Sequence, residues 1–187
     1  MLSKNKLIFL IATIQVLFFS SWYYLESKKL NEPTSKIILV KTVPVDPRDL
    51  LSGNYFILSY EFSNFENYAN QSEKIRTSGE KIQALLLDGD QYKNNETEIY
   101  VVLKKNNLWY VPDYFSLEKP SIKDDEILIK GKYNPYTKSI AYGIEKYFIN
   151  ENKMEPKMGD KVEVMLVVGN DLTARIKNVI INGIPVE

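Results

Sequence analysis

The chain has 187 residues, and its 24 Lys and Arg side chains balance its 24 Asp and Glu side chains, so the formal net charge is zero. Proteins that bind nucleic acid need a basic surface to neutralise phosphates, and no basic block stands out here, so we expect no nucleic-acid partner. The chain contains no Cys and no His. Their absence excludes nucleophilic catalysis by Cys–His or Ser–His pairs, Cys/His zinc sites, haem ligation by those residues, Fe–S clusters and disulfides.

The N-terminal segment begins with a short tail, residues 1–6, and continues as an uncharged, mainly apolar run from Leu7 to Leu25. At 1.5 Å per residue, a helix over that run is roughly 28 Å long, which nearly matches the roughly 30 Å hydrocarbon core of a bilayer. Aromatic rings at its far end fit the headgroup region: Trp22, Tyr23 and Tyr24. These features predict a transmembrane anchor over residues 7–25 that contacts the lipid bilayer.

A cleaved signal peptide is the competing interpretation of this segment. The run is longer than a usual signal core and contains bulky Trp-Tyr-Tyr where a cleavage site would have small residues, so we favour a retained anchor. Lysines lie on both sides of the span, so their count does not fix the orientation. Because the segment has the layout of an export signal, we predict a single-pass protein of the inner membrane with an extracytoplasmic C-terminal domain. Thr13 and Gln15 are candidates for contact with another integral membrane protein.

Residues 26–35 are predicted as a linker and residues 36–187 as one β domain. Runs of strand length, rich in β-branched and aromatic residues, follow one another without amphipathic helices between them. This pattern predicts a mainly β domain, either an antiparallel β-sandwich or a small barrel. The predicted strands cover residues 36–43, 54–62, 97–105, 108–117, 125–133, 138–149, 161–168 and 172–181.

The segments between the strands also make specific predictions. Residues 63–80 are polar and are predicted as a loop or a short helix. Asn106-Asn107 is predicted as a two-residue hairpin turn, because Asn tolerates the left-handed backbone conformation. Residues 134–137 (NPYT) form the next predicted turn. In the last strand the apolar residues change phase beyond Ile176, which predicts a β-bulge near Lys177-Asn178.

The stretch PVDPRDLLSGNYFILSYEF (residues 44–62) joins a polar turn to a strand of alternating character. In that strand Leu58 and Tyr60 fall on one face and Tyr55 on the other. Gly53, Tyr55, Leu58 and Tyr60 match the motif G-D-Y-x-x-L-x-Y, so the chain resembles the bacterial, membrane-anchored family named for that motif. The segments GIEKYFI (143–149) and ARIKNVIINGIPV extend the resemblance over residues 36–187. It implies fold and location, and no catalytic residue comes with it.

Asn54 stands where the motif has Asp. An amide keeps the shape and the hydrogen bonding of the carboxylate but loses its charge and most of its ability to act as a general base. Asn and Asp cap turns equally well through nearby backbone N–H groups. The substitution therefore favours a structural role for this position.

Charged residues around the motif are candidates for either a site or a turn. Asp46, Arg48 and Asp49 form a polar-ligand site, with Arg48 as bidentate donor, or a structural turn in which Arg48 is paired. We favour the turn and predict that Arg48 pairs with Glu145, because a planar Arg–carboxylate pair holds two distant segments together. Glu145 and Tyr147 lie on one strand face. There Glu145 is either an acid–base group or a salt-bridged side chain, and we favour the second.

These observations predict a non-enzymatic interaction or accessory module of the bacterial envelope, anchored in the membrane, with no cofactor and no metal. One alternative is an envelope hydrolase that uses carboxylates or a Ser/Lys pair, with Ser52 or Ser59 as nucleophile. The other is a small-ligand sensor whose pocket is lined by Tyr side chains.

Overall fold

Two units make up the chain in the computed structural model, Met1–Ser35 and Lys36–Glu187. The residues that the structure describes are 4–30, 35–44, 55–64, 72–88, 96–148 and 159–186. The polar turn that precedes the motif strand, from Asp46 to Asn54, lies outside these ranges.

The first unit contains helix α1 (Lys4–Leu30). Its stretch Lys4–Lys28 is long and apolar enough, by length and composition, to cross a membrane. The helix extends beyond the predicted span 7–25 on both sides, into residues assigned from the sequence to the tail and the linker. The Thr13 hydroxyl donates a hydrogen bond to the Phe9 carbonyl oxygen at 2.9 Å, so the helix itself satisfies this donor.

In the second unit, every strand pair among the described residues is antiparallel. A six-stranded sheet has the order β10-β9-β8-β1-β2-β7, a four-stranded sheet has the order β4-β3-β5-β6, and both are curled. This architecture confirms the prediction of a mainly β, antiparallel domain. The described strands are β1 (Lys36–Pro44), β2 (Tyr55–Tyr60), β3 (Thr97–Asn106), β4 (Trp109–Ser116), β5 (Glu126–Asn134), β6 (Ser139–Ala141), β7 (Lys146–Phe148), β8 (Val162–Val168), β9 (Ala174–Ile181) and β10 (Ile184–Val186).

One hydrophobic core contains inward-facing side chains from both sheets. In the centre of the six-stranded sheet, Ile38 and Val40 of β1 and Val164 and Leu166 of β8 are at most 1% exposed. Their period of two is the one that the sequence pattern indicates. Each such side chain contributes roughly 1.5–3 kcal/mol by leaving water, so the core fixes which face of each strand turns inward.

Helix α2 (Glu73–Asp88) occupies the second part of the stretch 63–80, which was predicted as a loop or a short helix, and it extends eight residues beyond that stretch. The helical alternative is therefore correct for residues 73–80, but the length of the helix was not predicted. Its buried stripe is formed by Ile75, Ile82 and Leu86, which fall on one helical face. The stripe continues past residue 80, so a window that ends there hides the periodicity. The Ser72 hydroxyl oxygen caps the helix by accepting a hydrogen bond from the Ile75 N–H at 3.4 Å.

The hairpin turn between β3 and β4 lies one residue later than predicted. Asn106 pairs with Trp109, so the two loop residues are Asn107 and Leu108, and Asn107 adopts the left-handed conformation with φ 57°. The predicted bulge in β9 is confirmed. Met165 pairs with Asn178 and Leu166 with Ile176, which leaves Lys177 as the extra residue. A second two-residue turn, Asn182-Gly183 with φ 51° and 83°, joins β9 to β10 and was not predicted.

The single strand predicted over residues 138–149 was wrong, because the structure divides it into β6 and β7. β6 belongs to the four-stranded sheet and β7 to the six-stranded sheet. Residues 142–145, here called the crossing segment, carry the chain from one sheet to the other. Gly143 makes this possible with a left-handed φ of 79°, which a residue without a Cβ adopts at little cost.

Candidate functional site

The motif strand β2 and the 3-10 turn that follows it (Glu61–Ser63) meet the crossing segment through three hydrogen bonds. The Tyr60 hydroxyl donates to the Ile144 carbonyl oxygen at 2.7 Å, and the Leu58 N–H donates to the Glu145 carbonyl oxygen at 2.7 Å. In the opposite direction, the Tyr142 hydroxyl donates to the Phe62 carbonyl oxygen at 2.7 Å. The motif therefore holds the point at which the chain changes sheets.

Aromatic rings surround these hydrogen bonds. The rings of Tyr60 and Phe62 stack with centroids 5.2 Å apart, and Phe62 meets Tyr142 edge-on at 5.1 Å. Burial, and to a smaller extent the Glu145 carboxylate, raise the pKa of Tyr60 and of Tyr142 above the ordinary value. Both phenols are therefore neutral donors at physiological pH. Each aromatic pair adds about 0.5–1.5 kcal/mol beyond its area of burial.

The Glu145 carboxylate folds back onto its own turn. One oxygen accepts a hydrogen bond from the Tyr142 N–H at 2.5 Å, and the other accepts one from the Gly143 N–H at 3.0 Å. These two bonds satisfy backbone donors that the left-handed turn leaves without a ladder partner. The geometry is that of a turn-capping group, so Glu145 supports the structure of the crossing segment.

Five of the predicted site residues lie outside the described residues: Asp46, Arg48, Asp49, Gly53 and Asn54. The predicted Arg48–Glu145 pair and the turn role of Asn54 therefore stay predictions. A carboxylate offers about four acceptor positions. The two hydrogen bonds from backbone N–H groups consequently leave acceptor positions on the Glu145 carboxylate for an arginine.

The remaining predicted residues occupy both faces of the sheet. The Tyr147 hydroxyl donates to the Val186 carbonyl oxygen at 3.4 Å, which joins β7 to β10. Tyr55 lies on the face opposite to Tyr60 and packs against Phe148 with ring centroids 5.6 Å apart. The Lys146 ammonium lies 5.0 Å from the centre of the Tyr55 ring. The structure thus brings Leu58, Tyr60 and Glu145 together and separates Tyr55 from them.

Sequence reasoning missed two members of the site, Phe62 and Tyr142. Phe62 shares the alternating phase of Leu58 and Tyr60, and Tyr142 directly precedes the matched segment that begins at Gly143. Both signals were present, but an alternating pattern shows only that a side chain points inward. It does not reveal which distant backbone group that side chain will meet.

The match to a known family covers most of the chain. A family model described as GDYXXLXY protein matches residues 17–176. The chain belongs to the GDYXXLXY family. The matched region begins within α1 and ends in β9, whereas the resemblance read from the motifs covered residues 36–187. Searches of curated proteins and of solved structures found no match.

A second polar cluster in the GDYXXLXY domain joins the two sheets. The Trp109 indole N–H donates to a Glu163 carboxylate oxygen at 2.5 Å, and the Lys161 ammonium pairs with the same oxygen at 3.0 Å. Lys41 and Lys161 place their ammonium groups 4.3 and 4.9 Å from the centre of the Trp109 ring. These residues come from β4, β1 and the start of β8, so no local sequence pattern announces the cluster.

An open groove of about 700 Å³ lies along the first turns of α2 beside Tyr114. The Lys74 ammonium pairs with the Asp113 carboxylate and lies 4.1 Å from the centre of the Tyr114 ring, so its charge is already compensated. Within the described ranges, no group of three or more acidic side chains is placed to hold a metal ion. The groove is shallow, and its lining contains one Tyr.

Proposed function

We propose that this GDYXXLXY protein is a single-pass membrane protein whose extracytoplasmic β domain is a non-enzymatic interaction or accessory module of the bacterial envelope. The observation that carries the proposal is the set of hydrogen bonds made by the polar groups in and beside the motif. The Tyr60 and Tyr142 hydroxyls and the Glu145 carboxylate all bond backbone groups of the same domain. Groups with these internal partners stabilise a scaffold, which leaves the function to the surface and to the anchor.

Retention of α1 as an anchor is tested by alkaline carbonate extraction of membranes that contain the full chain. A helix that spans the bilayer keeps the protein in the membrane pellet, and intact-mass measurement gives the full-length chain. A shorter protein that is released into the supernatant would identify α1 as a cleaved signal sequence and would overturn the anchored form of the proposal.

Orientation is tested with single cysteines, because the native chain has none. Tyr136→Cys places a thiol in a turn of the β domain, at a side chain that is 74% exposed. Lys4→Cys is the matched control at the other end of α1. A membrane-impermeant maleimide should label position 136 in spheroplasts and position 4 only after permeabilisation. The reverse pattern would place the β domain in the cytoplasm.

The hydrolase alternative is tested with a fluorophosphonate probe that modifies activated serine. We expect no labelling of the full chain in membranes. Ser59→Ala and Ser52→Ala are the matched controls for the two candidate nucleophiles. Labelling of the native chain that either variant abolishes would replace the accessory role with a serine hydrolase.

A partner in the bilayer is tested by photo-cross-linking within α1. A photoreactive residue at position 15, in place of Gln15, is compared with one at Leu17, which lies on the opposite side of the helix. A membrane-protein adduct from position 15 and none from position 17 supports a specific helix contact. Equal adducts from both positions would indicate random collision in the bilayer.

A further inference from the structure

Helix α1 carries one amide side chain near the middle of its apolar stretch. Gln15 lies beside the midpoint of Lys4–Lys28, about 16 Å along the helix axis from the nearer end of that stretch at 1.5 Å per residue. Its side chain is exposed on the helix surface. At that depth a bilayer offers no water, so the carboxamide N–H and C=O groups need hydrogen-bond partners within the hydrocarbon layer.

The helix itself does not provide these partners. The Thr13 hydroxyl bonds the Phe9 carbonyl oxygen one turn earlier, as hydroxyls inside helices commonly do. The Gln15 side chain, in contrast, makes no hydrogen bond among the residues that the structure describes. Its carboxamide therefore extends from the helix with both its acceptor oxygen and its N–H donors available.

Gln15 belongs to a helix face that repeats every seven residues. The intervals between the members of this face alternate between three and four residues, which is the spacing that keeps two supercoiled helices in contact along one seam. The Phe18 and Trp22 rings of this face meet edge-on with centroids 5.9 Å apart. The Gln15 face consists of Ile8, Ile11, Gln15, Phe18, Trp22 and Leu25.

We infer that α1 binds a second copy of this chain through the Gln15 face, as a parallel pair with two-fold symmetry in which the two Gln15 carboxamides hydrogen-bond each other. Copies of a single-pass protein share one orientation, so each places residue 15 at the same depth. A carboxamide is both donor and acceptor, which makes it complementary to a copy of itself, as a two-fold interface requires. The inference rests on the proposed anchor and names its partner.

Disulfide cross-linking in membranes that contain the full chain tests the face. Ile11→Cys places a thiol on the Gln15 face, and the matched control Phe9→Cys places one on the opposite side of the helix, about 3 Å away along the axis. Two differently tagged forms of each variant are expressed together and oxidised, and the native chain contributes no cysteine. We expect a species that carries both tags from Ile11→Cys and none from Phe9→Cys. Equal cross-linking, none from Ile11→Cys, or an adduct with a different protein would overturn the inference.

Energy transfer in proteoliposomes tests the carboxamide. Full chains with donor or acceptor dyes at Tyr136→Cys are diluted with lipid until the pairs dissociate. Gln15→Leu should associate about 3 to 30 times more weakly, which is the range for interhelical hydrogen bonds in membranes, and Gln15→Asn should retain most of the association. Ser20→Leu removes a polar group from the opposite face and should change nothing. Unchanged association of Gln15→Leu, or an equal loss in Ser20→Leu, would exclude pairing through Gln15.

Alkaline carbonate extraction of the same membranes distinguishes failure of the pair from failure of the anchor. Gln15→Leu makes the helix more apolar, so this variant should stay in the pellet with the native chain. A chain that stays in the pellet while Ile11→Cys gives no cross-link would overturn the pair alone. Release of a shortened chain into the supernatant would overturn both the pair and the anchor.

Discussion

The two tyrosines of the motif lie on opposite faces of strand β2 and have different surroundings. Tyr60 faces inward, is 0% exposed, and its hydroxyl donates a hydrogen bond to the Ile144 carbonyl oxygen of the crossing segment. Tyr55 lies on the opposite face of the strand, where it is 9% exposed and packs against Phe148 and Lys146 of the edge strand β7. An odd spacing along a strand always separates two residues in this way. The motif thus places one tyrosine in the hydrogen-bonded core and the other against an edge strand, and the two faces of β2 should respond differently to substitution.

The largest effect is expected at the inward face. Tyr60→Ala removes a fully buried aromatic ring and should lower the free energy of unfolding by about 3–5 kcal/mol. Tyr60→Phe keeps the ring but leaves the Ile144 carbonyl oxygen without its donor, at a cost of about 1–3 kcal/mol. Thermal and denaturant unfolding of the full chain in detergent measures both. If the two variants were equally stable, the ring would not be packed as described.

Alkaline pH should weaken the hydrogen bonds that the Tyr60 and Tyr142 hydroxyls donate to the backbone. Unfolded tyrosine loses its proton near pH 10, whereas burial, followed by the Glu145 carboxylate, raises the pKa of Tyr60 and Tyr142 in the folded domain. Their contribution is complete below pH 10 and is lost as the pH rises toward the raised values. The expected slope is about 1.4 kcal/mol per pH unit for each tyrosine. Unfolding free energies between pH 9 and 11 should fall less steeply for Tyr60→Phe, and parallel curves would contradict this assignment.

Glu145 should have an intermediate effect. Glu145→Ala removes both acceptors of the turn and should cost about 0.5–2 kcal/mol, as the loss of a helix cap does. Glu145→Gln retains one acceptor oxygen and should cost less. The comparison uses unfolding midpoints of the two variants at neutral pH. A larger loss for Gln than for Ala would mean that the amide clashes with the two N–H donors and that capping is not the main role.

The smallest effect is expected at the outward face. Ile57→Val removes one methylene from a side chain that is 37% exposed, so the free energy of unfolding should change by no more than about 0.5 kcal/mol. A melting curve beside that of Tyr60→Phe makes the comparison direct. A destabilisation equal to that of Tyr60→Phe would show that the outer face is as important to the fold as the inner one.

Much of the fold was predictable because its signals are local. Alternation located most of the strands, and the change of phase beyond Ile176 located the bulge at Lys177. The hairpin at Asn107-Leu108 was misplaced by one residue because the apolar Leu108, although 70% exposed, resembles the start of a strand. The Asn-Gly turn at residues 182–183 was available in the sequence and was missed.

The crossing segment was not predictable by the same means. Residues 138–149 keep the composition of one strand, yet Gly143 turns the chain into another sheet. Whether a left-handed glycine breaks a strand depends on the partners that meet it, which here include Tyr60 from far earlier in the chain. The same limit applies to the site. The motif located Leu58 and Tyr60, but the acceptors of their hydrogen bonds follow from the topology alone.

The pairing of β1 with β8 has a consequence for biogenesis. The Thr42 hydroxyl bonds the Val162 carbonyl oxygen, 120 residues away along the chain, and Lys36 pairs with Val168. The first strand of the domain, β1, therefore cannot pair with β8 until most of the chain has been synthesised. Contacts of such long range are also slow to form. During that delay the polypeptide cannot close its largest sheet. In the extracytoplasmic orientation that we propose, the chain crosses the membrane unfolded, and such a delay keeps the largest sheet open until nearly all of the domain has emerged.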